Sequence, residues 1–267
     1  MLPLFTCEEM RTAERDVIAA GIPGRVLMEN AASAAFRILQ KENPSAVLVF
    51  CGSGNCAGDG FALSRRLFIS GFDTKIVLVG DTARLSEDAA ENLAAARRLG
   101  VPILDFDEIK ELPKKGTYIA DAILGIGASR EVTGKFRAAI EYINESGCPV
   151  LSIDLPSGIS GDTGAVLGCA VRATKTITFG LRKIGLYSPL AADYTGEILF
   201  DDISIPTPRK TRRFLLEKED ISLPRASRAA HKGVNGHAVI YGGSVGMAGA
   251  PAMAAESEEI GGAGCVT

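Results

Sequence analysis

Ala46-Val-Leu-Val-Phe-Cys-Gly-Ser-Gly-Asn-Cys-Ala-Gly-Asp-Gly-Phe-Ala-Leu-Ser-Arg-Arg-Leu67 holds, in order, an apolar run, a glycine-crowded turn and a helical repeat. Ala46 to Cys51 is short and rich in β-branched residues, which predicts a buried parallel strand. Gly52, Gly54, Gly58 and Gly60 follow, and Phe61, Leu63, Leu67 and Phe68 then recur at helical spacing. A strand, a glycine turn and a helix in that order make a ligand site by construction. The helix N-terminus leaves N–H groups free, and glycine lets backbone approach a ligand closely. Gly52-x-Gly54-x-x-Ala57 fits the loose dinucleotide fingerprint, and Asp81, after the apolar run Ile76 to Val79, stands where a ribose acid would. Asp59 argues the other way, because a carboxylate in the first helical turn repels a pyrophosphate. Asn55 and Asp59 suit hydroxyls, an amide or a cation better. A plain strand–helix turn with an Asp cap is the bland alternative.

Working outward, Thr6-Cys-Glu-Glu9 has the form of a capping box and predicts a helix to about Ala19. A second helix is expected from Gly24 to Lys41, packed on a sheet face or at a subunit contact. After the central turn come strands at Lys75–Val79, Val101–Phe106, Tyr118–Leu124, Val150–Asp154, Lys175–Phe179 and Glu197–Phe200, with helices at Ser86–Leu99 and Gly134–Glu145. That alternation predicts an α/β fold: a three-layer αβα sandwich with a Rossmann-like, doubly wound, mostly parallel sheet and two extra N-terminal helices. Thr207 to Arg213 is charged, carries proline and reads as a linker. The expected domains are therefore 1–213 and 214–267, the second too short for an α/β core of its own.

Composition narrows the function classes. The chain has 267 residues, 46% hydrophobic and 23% charged, with net charge -3. This balance is that of a globular protein and offers no basic surface for nucleic acid. No apolar run reaches membrane-spanning length, and Met1 to Arg11 is too polar for a signal peptide. The six cysteines form no CxxC pair, which fits small apolar residues in a reducing cytoplasm. Two histidines make a His-based zinc site improbable.

Three carboxylates fall at carboxyl ends of the expected strands or their turns: Asp59, Asp121 and Asp154. Ligands of an open α/β sheet bind outside those ends. A single such Asp is usually a helix cap; three, each beside glycine or Ser-Gly, suggest a site. Acidic oxygens with the Ser157 hydroxyl suit a hard cation.

These residues carry a resemblance. Ile18 to Ala32, with Gly21-Ile-Pro and Leu27-Met-Glu-Asn30, resembles the N-terminal helices of the NAD(P)H-hydrate epimerase family. Gly54-Asn-Cys-Ala-Gly-Asp-Gly60, Asp121-Ala-Ile-Leu-Gly-Ile-Gly127 and Ser152-Ile-Asp-Leu-Pro-Ser-Gly158 are similar to that family's motifs, in the same order, over about residues 6 to 206. Beyond Arg213, His231-Lys-Gly and Gly242-Gly-Ser-Val-Gly-Met-Ala-Gly-Ala-Pro251 resemble the opening of the ribokinase-like NAD(P)H-hydrate dehydratase, often fused behind the epimerase.

The resemblance implies an epimerase that interconverts the R and S forms of hydrated NADH or NADPH, assisted by potassium, within a bifunctional, cytoplasmic, homo-oligomeric repair enzyme. Substrate contacts fall on Asn55, Cys56, Ala57, Gly58 and Asp59, on Gly125, Ile126, Gly127, Ala128, Ser129, Arg130 and Glu131, and on Asp154, the expected acid–base group. Potassium ligands fall on Cys56, Asp121 and Ser157. Cys56 departs from the family's asparagine, and a neutral thiol is a poor ligand for a hard cation. Ala57 replaces a glycine and adds a methyl near the ligand. Two other classes stay open: a nucleotide-binding module without turnover, and an NAD-dependent oxidoreductase.

Overall fold

The computed structural model describes residues 1–208, 211–222 and 229–267. The chain divides into two units, Met1–Leu215 and Leu216–Thr267. The first unit runs β1 (Leu2–Pro3), α1 (Cys7–Ala19), α2 (Gly24–Glu42), β2 (Ala46–Cys51), α3 (Asn55–Ile69), β3 (Thr74–Leu78), α4 (Glu87–Arg98), β4 (Ile103–Asp105), β5 (Thr117–Ala122), α5 (Gly134–Glu145), β6 (Val150–Ile153), β7 (Lys175–Phe179), α6 (Ala192–Thr195), β8 (Glu197–Asp201) and β9 (Phe214–Leu215).

Alternation along the strands builds two cores, one on each face of the sheet. Val47, Val49 and Cys51 of β2 join Leu27 and Ala31 of α2, Phe61 and Leu67 of α3 and Leu93 of α4. Phe50 of β2 and Ile119 of β5 join Ala139, Ile140 and Ile143 of α5 on the opposite face. The expected three layers result. The sheet has seven strands in the order β4-β3-β2-β5-β6-β7-β8, parallel throughout. The winding reverses between β2 and β5, so the turns after these two strands flank the switch point where such sheets take ligands. Gly52 makes that approach feasible: a Cβ there would lie 1.9 Å from the Ile123 carbonyl oxygen. Gly58 lets α3 close on α2, since a Cβ would meet the Met28 sulfur at 2.5 Å.

α1 begins with the expected capping box, Thr6 with Glu9. The stretch read as a linker behaves differently at its end. The Leu4 N–H donates to the Arg213 carbonyl at 2.9 Å, and the Thr211 hydroxyl donates to the Leu4 carbonyl at 3.0 Å. The Arg213 guanidinium also pairs with Glu9 of the capping box, and β1 pairs antiparallel with β9. Residues 211–215 are thus stitched to the N-terminus, because β1 exposes backbone groups that need partners.

The second unit contains β10 (His237–Ala238), parallel to β11 (Cys265–Val266), and α7 (Gly249–Ile260). None of its described residues is buried, and Tyr241, Val245 and Ile260 are exposed. Among the described residues no helix is long and apolar enough to cross a membrane.

A chain ending at Leu216 is expected to keep the stability of the first unit. One ending at Pro208 loses the Thr211 and Arg213 ties and the β1–β9 pair, and should be about 2 kcal/mol less stable. That corresponds to a melting temperature roughly 4–8 °C lower in calorimetry. Equal melting of the two truncations would show that residues 209–216 contribute nothing.

Candidate active site

Asp154 follows the last residue of β6 with φ +70°, a left-handed backbone that a non-glycine residue adopts only when its surroundings impose it. Its N–H donates to the Ile177 carbonyl at 2.7 Å. Its Oδ1 accepts from Lys183 Nζ at 2.5 Å, from the Phe179 N–H at 3.3 Å and from the Thr178 hydroxyl at 3.4 Å. Lys183 is only 1% exposed, and its other bonds run to the Phe179 carbonyl and the Thr178 hydroxyl. Asp154 Oδ2 takes no hydrogen bond from the described residues and stays available.

Asp121 sits one strand away, fully buried. Its Oδ1 accepts from the Ser157 hydroxyl at 2.5 Å and the Ile123 N–H at 3.3 Å. Its Oδ2 accepts from the Ser152 hydroxyl at 2.8 Å and the Ser157 N–H at 2.9 Å. Burial pushes the Asp121 carboxyl up against the pull of these hydrogen bonds. The Leu124 N–H donates to Ser157 Oγ at 2.8 Å, so the turns after β5 and β6 are bound to each other.

Above these turns opens a cavity of about 730 Å³. Of the expected substrate contacts, Asn55, Cys56, Asp59, Gly125, Ile126, Gly127, Ala128 and Asp154 line it. Ala57 and Gly58 do not: Ala57 packs its methyl in the core, and Gly58 faces Met28. Ser129, Arg130 and Glu131 are exposed and stand outside the lining. Asp81 also stands outside it, and instead caps its own turn by accepting from the Ala83 N–H at 2.9 Å.

Sequence reasoning missed several charged lining groups: Arg11, Glu14, Glu87, Asp88 and Lys183. Lys183 lies in a loop, and only its burial beside Asp154 reveals it. Glu14 comes from α1, whose Met10, Arg11, Glu14 and Ile18 all line the cavity. These fall at i, i+1, i+4 and i+8, a signal that was legible as one helical face. Arg11 fixes the helix there by donating to the Ile126 carbonyl at 2.7 Å. Burial raises the Glu14 carboxyl, and Asp154 raises it further, against Lys183. Asp59 is pushed well above the carboxylate range by burial first, then by Asp154 and Glu14, with Lys183 opposing.

The donor set around Asp121 bears on the expected potassium ion. Asp121 is a buried carboxylate whose four hydrogen bonds all come from neutral groups, and among the described residues no cationic side chain pairs with it. A cation is the natural complement for such a charge. Asp121 and Ser157 supply oxygens of the hard kind that potassium takes, although neither lines the cavity and each already holds hydrogen bonds. Cys56, expected as a third ligand, supplies none: its buried thiol donates to the Ile153 carbonyl at 3.4 Å, and burial raises it far above the thiol range, so it stays neutral and soft.

Comparison with known proteins follows this geometry. The family profile described as "YjeF-related protein N-terminus" matches residues 24–185. A bifunctional NAD(P)H-hydrate repair enzyme Nnr from Coxiella burnetii is 39% identical over 275 residues, covering 100% of this chain and 56% of that protein. NAD(P)H-hydrate epimerases from Oenococcus oeni and Levilactobacillus brevis are 38% and 41% identical, covering 70% and 69% of this chain and 90% and 86% of theirs. The chain thus spans about half the length of the bifunctional relatives it matches. A crystal structure of the yeast protein ynu0, YNL200c, superposes with a TM-score of 0.64 at 19% identity, over 74% of this chain and 87% of that one, and supports the fold alone.

The raised Asp59 carboxyl fixes a sign. The folded chain holds a proton that the unfolded chain has lost, so stability falls as pH rises from the ordinary carboxylate range through the raised value. Asp59→Asn removes this dependence. Its melting temperature is expected to gain on the parent's as pH goes from about 5 to about 8, by about 2–4 °C per kcal/mol recovered. A constant difference across that range would contradict the protonated Asp59.

Proposed function

The chain belongs to the family of YjeF-related protein N-termini, and from that premise we propose that its first unit is an NAD(P)H-hydrate epimerase. One observation carries the reading: a strained, lysine-held Asp154 presents a free carboxylate oxygen to a cavity at the switch point of the sheet. The hydrate carries a hydroxyl on the ring carbon next to the nitrogen. Push from the nitrogen lone pair expels it once its oxygen is protonated, and water then returns to the planar cation.

Asp154 Oδ2 is the group placed for this proton exchange. Lys183 holds Oδ1 and fixes the carboxylate's orientation. Asp59 keeps its proton to higher pH than an ordinary carboxyl, so it can donate a hydrogen bond to the carboxamide oxygen. The uncapped N-terminus of α3 at Asn55 and the Gly125–Ala128 turn offer backbone N–H groups to the nucleotide.

Potassium is part of the proposal. Asp121 and Ser157 would hold it, and it would supply positive charge beneath the substrate. Cys56 contributes no ligand. A reducing, cytoplasmic setting is also proposed, supported by six free thiols. The second unit is read as the opening of the dehydratase part that the bifunctional relatives carry, and no dehydratase activity is assigned to it.

Two outcomes test this. Asp154→Asn keeps a side chain that tolerates the left-handed backbone but takes the anionic partner from buried Lys183, so it should melt lower than the parent; at a temperature where it is still folded it should lose roughly 10²–10⁴ in the rate of R-to-S interconversion followed by chiral chromatography. A variant within about threefold of the parent, or 0.65 kcal/mol of barrier, removes Asp154 from the mechanism. For the cation, replacing choline chloride by potassium chloride at equal ionic strength should raise the melting temperature by at least ~2 °C, and Asp121→Asn should abolish that rise.

A further inference from the structure

Epimerisation through a planar cation has a requirement that one carboxylate does not meet. The hydroxyl leaves one face of the ring and water arrives on the other, so a proton must be handled on both faces. Asp154 sits at the end of β6, on the floor formed by the strand ends. Asp59 belongs to α3, which starts at that same floor directly after β2. α1 lines the same cavity with Met10, Arg11, Glu14 and Ile18. It is tied across the strand ends by the Arg11 bond to Ile126 and by the Met10 sulfur, which accepts from the Leu181 N–H at 3.3 Å. Glu14 is one turn beyond Met10, half-buried, and takes no hydrogen bond from the described residues. Arg11, the cation nearest in sequence on the same lining face, is occupied by Ile126 and Glu8.

Resting on the epimerase reading, we propose that Glu14 is the acid–base group of the second ring face, paired across the cavity with Asp154. In one direction the Glu14 carboxyl protonates the departing hydroxyl. The C–O bond breaks with its electron pair going to the water formed, and the nitrogen lone pair becomes the second bond of the C=N⁺ cation. A water on the Asp154 side then adds to the carbon, gives its proton to Asp154 Oδ2, and the C=N electron pair returns to nitrogen. The reverse reaction exchanges the two roles. Atoms and charge balance without an oxidant or reductant. Burial of Glu14 supports this assignment, because it keeps the acid form available to the leaving oxygen.

The test follows stereochemistry and oxygen together. Pure R-hydrate and, separately, pure S-hydrate are incubated in oxygen-18 water with the parent, Glu14→Gln, Glu14→Asp and Asp59→Asn. Chromatography separates R from S, and mass spectrometry reads the label in each. In the parent, the S product should carry solvent oxygen. Glu14→Gln should lose at least ~10² in inversion of either epimer, while the epimer whose hydroxyl faces Asp154 still exchanges its oxygen without inverting, within about tenfold of the parent. Glu14→Asp should recover part of the inversion. Inversion by Glu14→Gln within threefold of the parent overturns the proposal. So does a parallel loss of exchange and inversion, which marks a structural role, or an uncoupling shown by Asp59→Asn in place of Glu14→Gln. A parent that inverts without taking up label overturns the planar-cation step. A parent with no interconversion above the solution rate sinks the epimerase reading itself.

Discussion

A carboxyl group shut inside the fold holds the two halves of this site in register. Asp121 is fully buried, and four donors from Ser152, Ser157 and Ile123 converge on its two oxygens. Each bond is modest alone, but leaving any of these buried donors unpaired costs on the order of 1–3 kcal/mol. The turn after β5 therefore cannot move without the turn after β6. The first carries Gly125 to Ala128 and the second carries Asp154, so the backbone that would meet a nucleotide and the carboxylate that would act on it are fixed to one point.

Much of this was legible in the sequence because the governing patterns are local. The continuous apolar run Ala46 to Cys51, and the glycines after it, put the first strand and its turn where the structure has them. Strand ends then nominated Asp121 and Asp154. The misreadings have one cause. A motif names consecutive residues, while a helix presents only some of them to a cavity. Asn55, Cys56 and Asp59 share a face of α3; Ala57 and Gly58 between them turn inward. Likewise Arg130 and Glu131 continue a loop whose earlier residues alone reach the site. Lys183 was not legible as a site residue, and Glu14 was legible only as a member of one helical face, because their place in the site comes from segments that meet only after folding.

Asp154 shows what the site demands of the fold. Its left-handed backbone is unfavourable by on the order of 1–3 kcal/mol, and Lys183 is an ammonium with almost no solvent. Each makes the other tolerable. The lysine needs an anionic partner, and the strained turn delivers the carboxylate at the right place. The surrounding strands, parallel and buried on both faces, supply the rigidity that keeps this arrangement from relaxing.

The pairing of β1 with β9 has a consequence for biosynthesis. Leu2 and Pro3 meet Leu215 and Phe214, so β1 leaves a ribosome long before the strand it pairs with. At about 5–20 residues per second, roughly 10–40 s pass before that partner is made. Throughout this interval α1 lacks the Arg213 contact to its cap, although the strands between are already available to pair. The nascent chain would thus carry a formed sheet with α1 held by Arg11 and Met10 but with its first turn untied, a state that nascent-chain proteolysis should detect as early protection of β2 and β3 and late protection of Thr6 to Glu9.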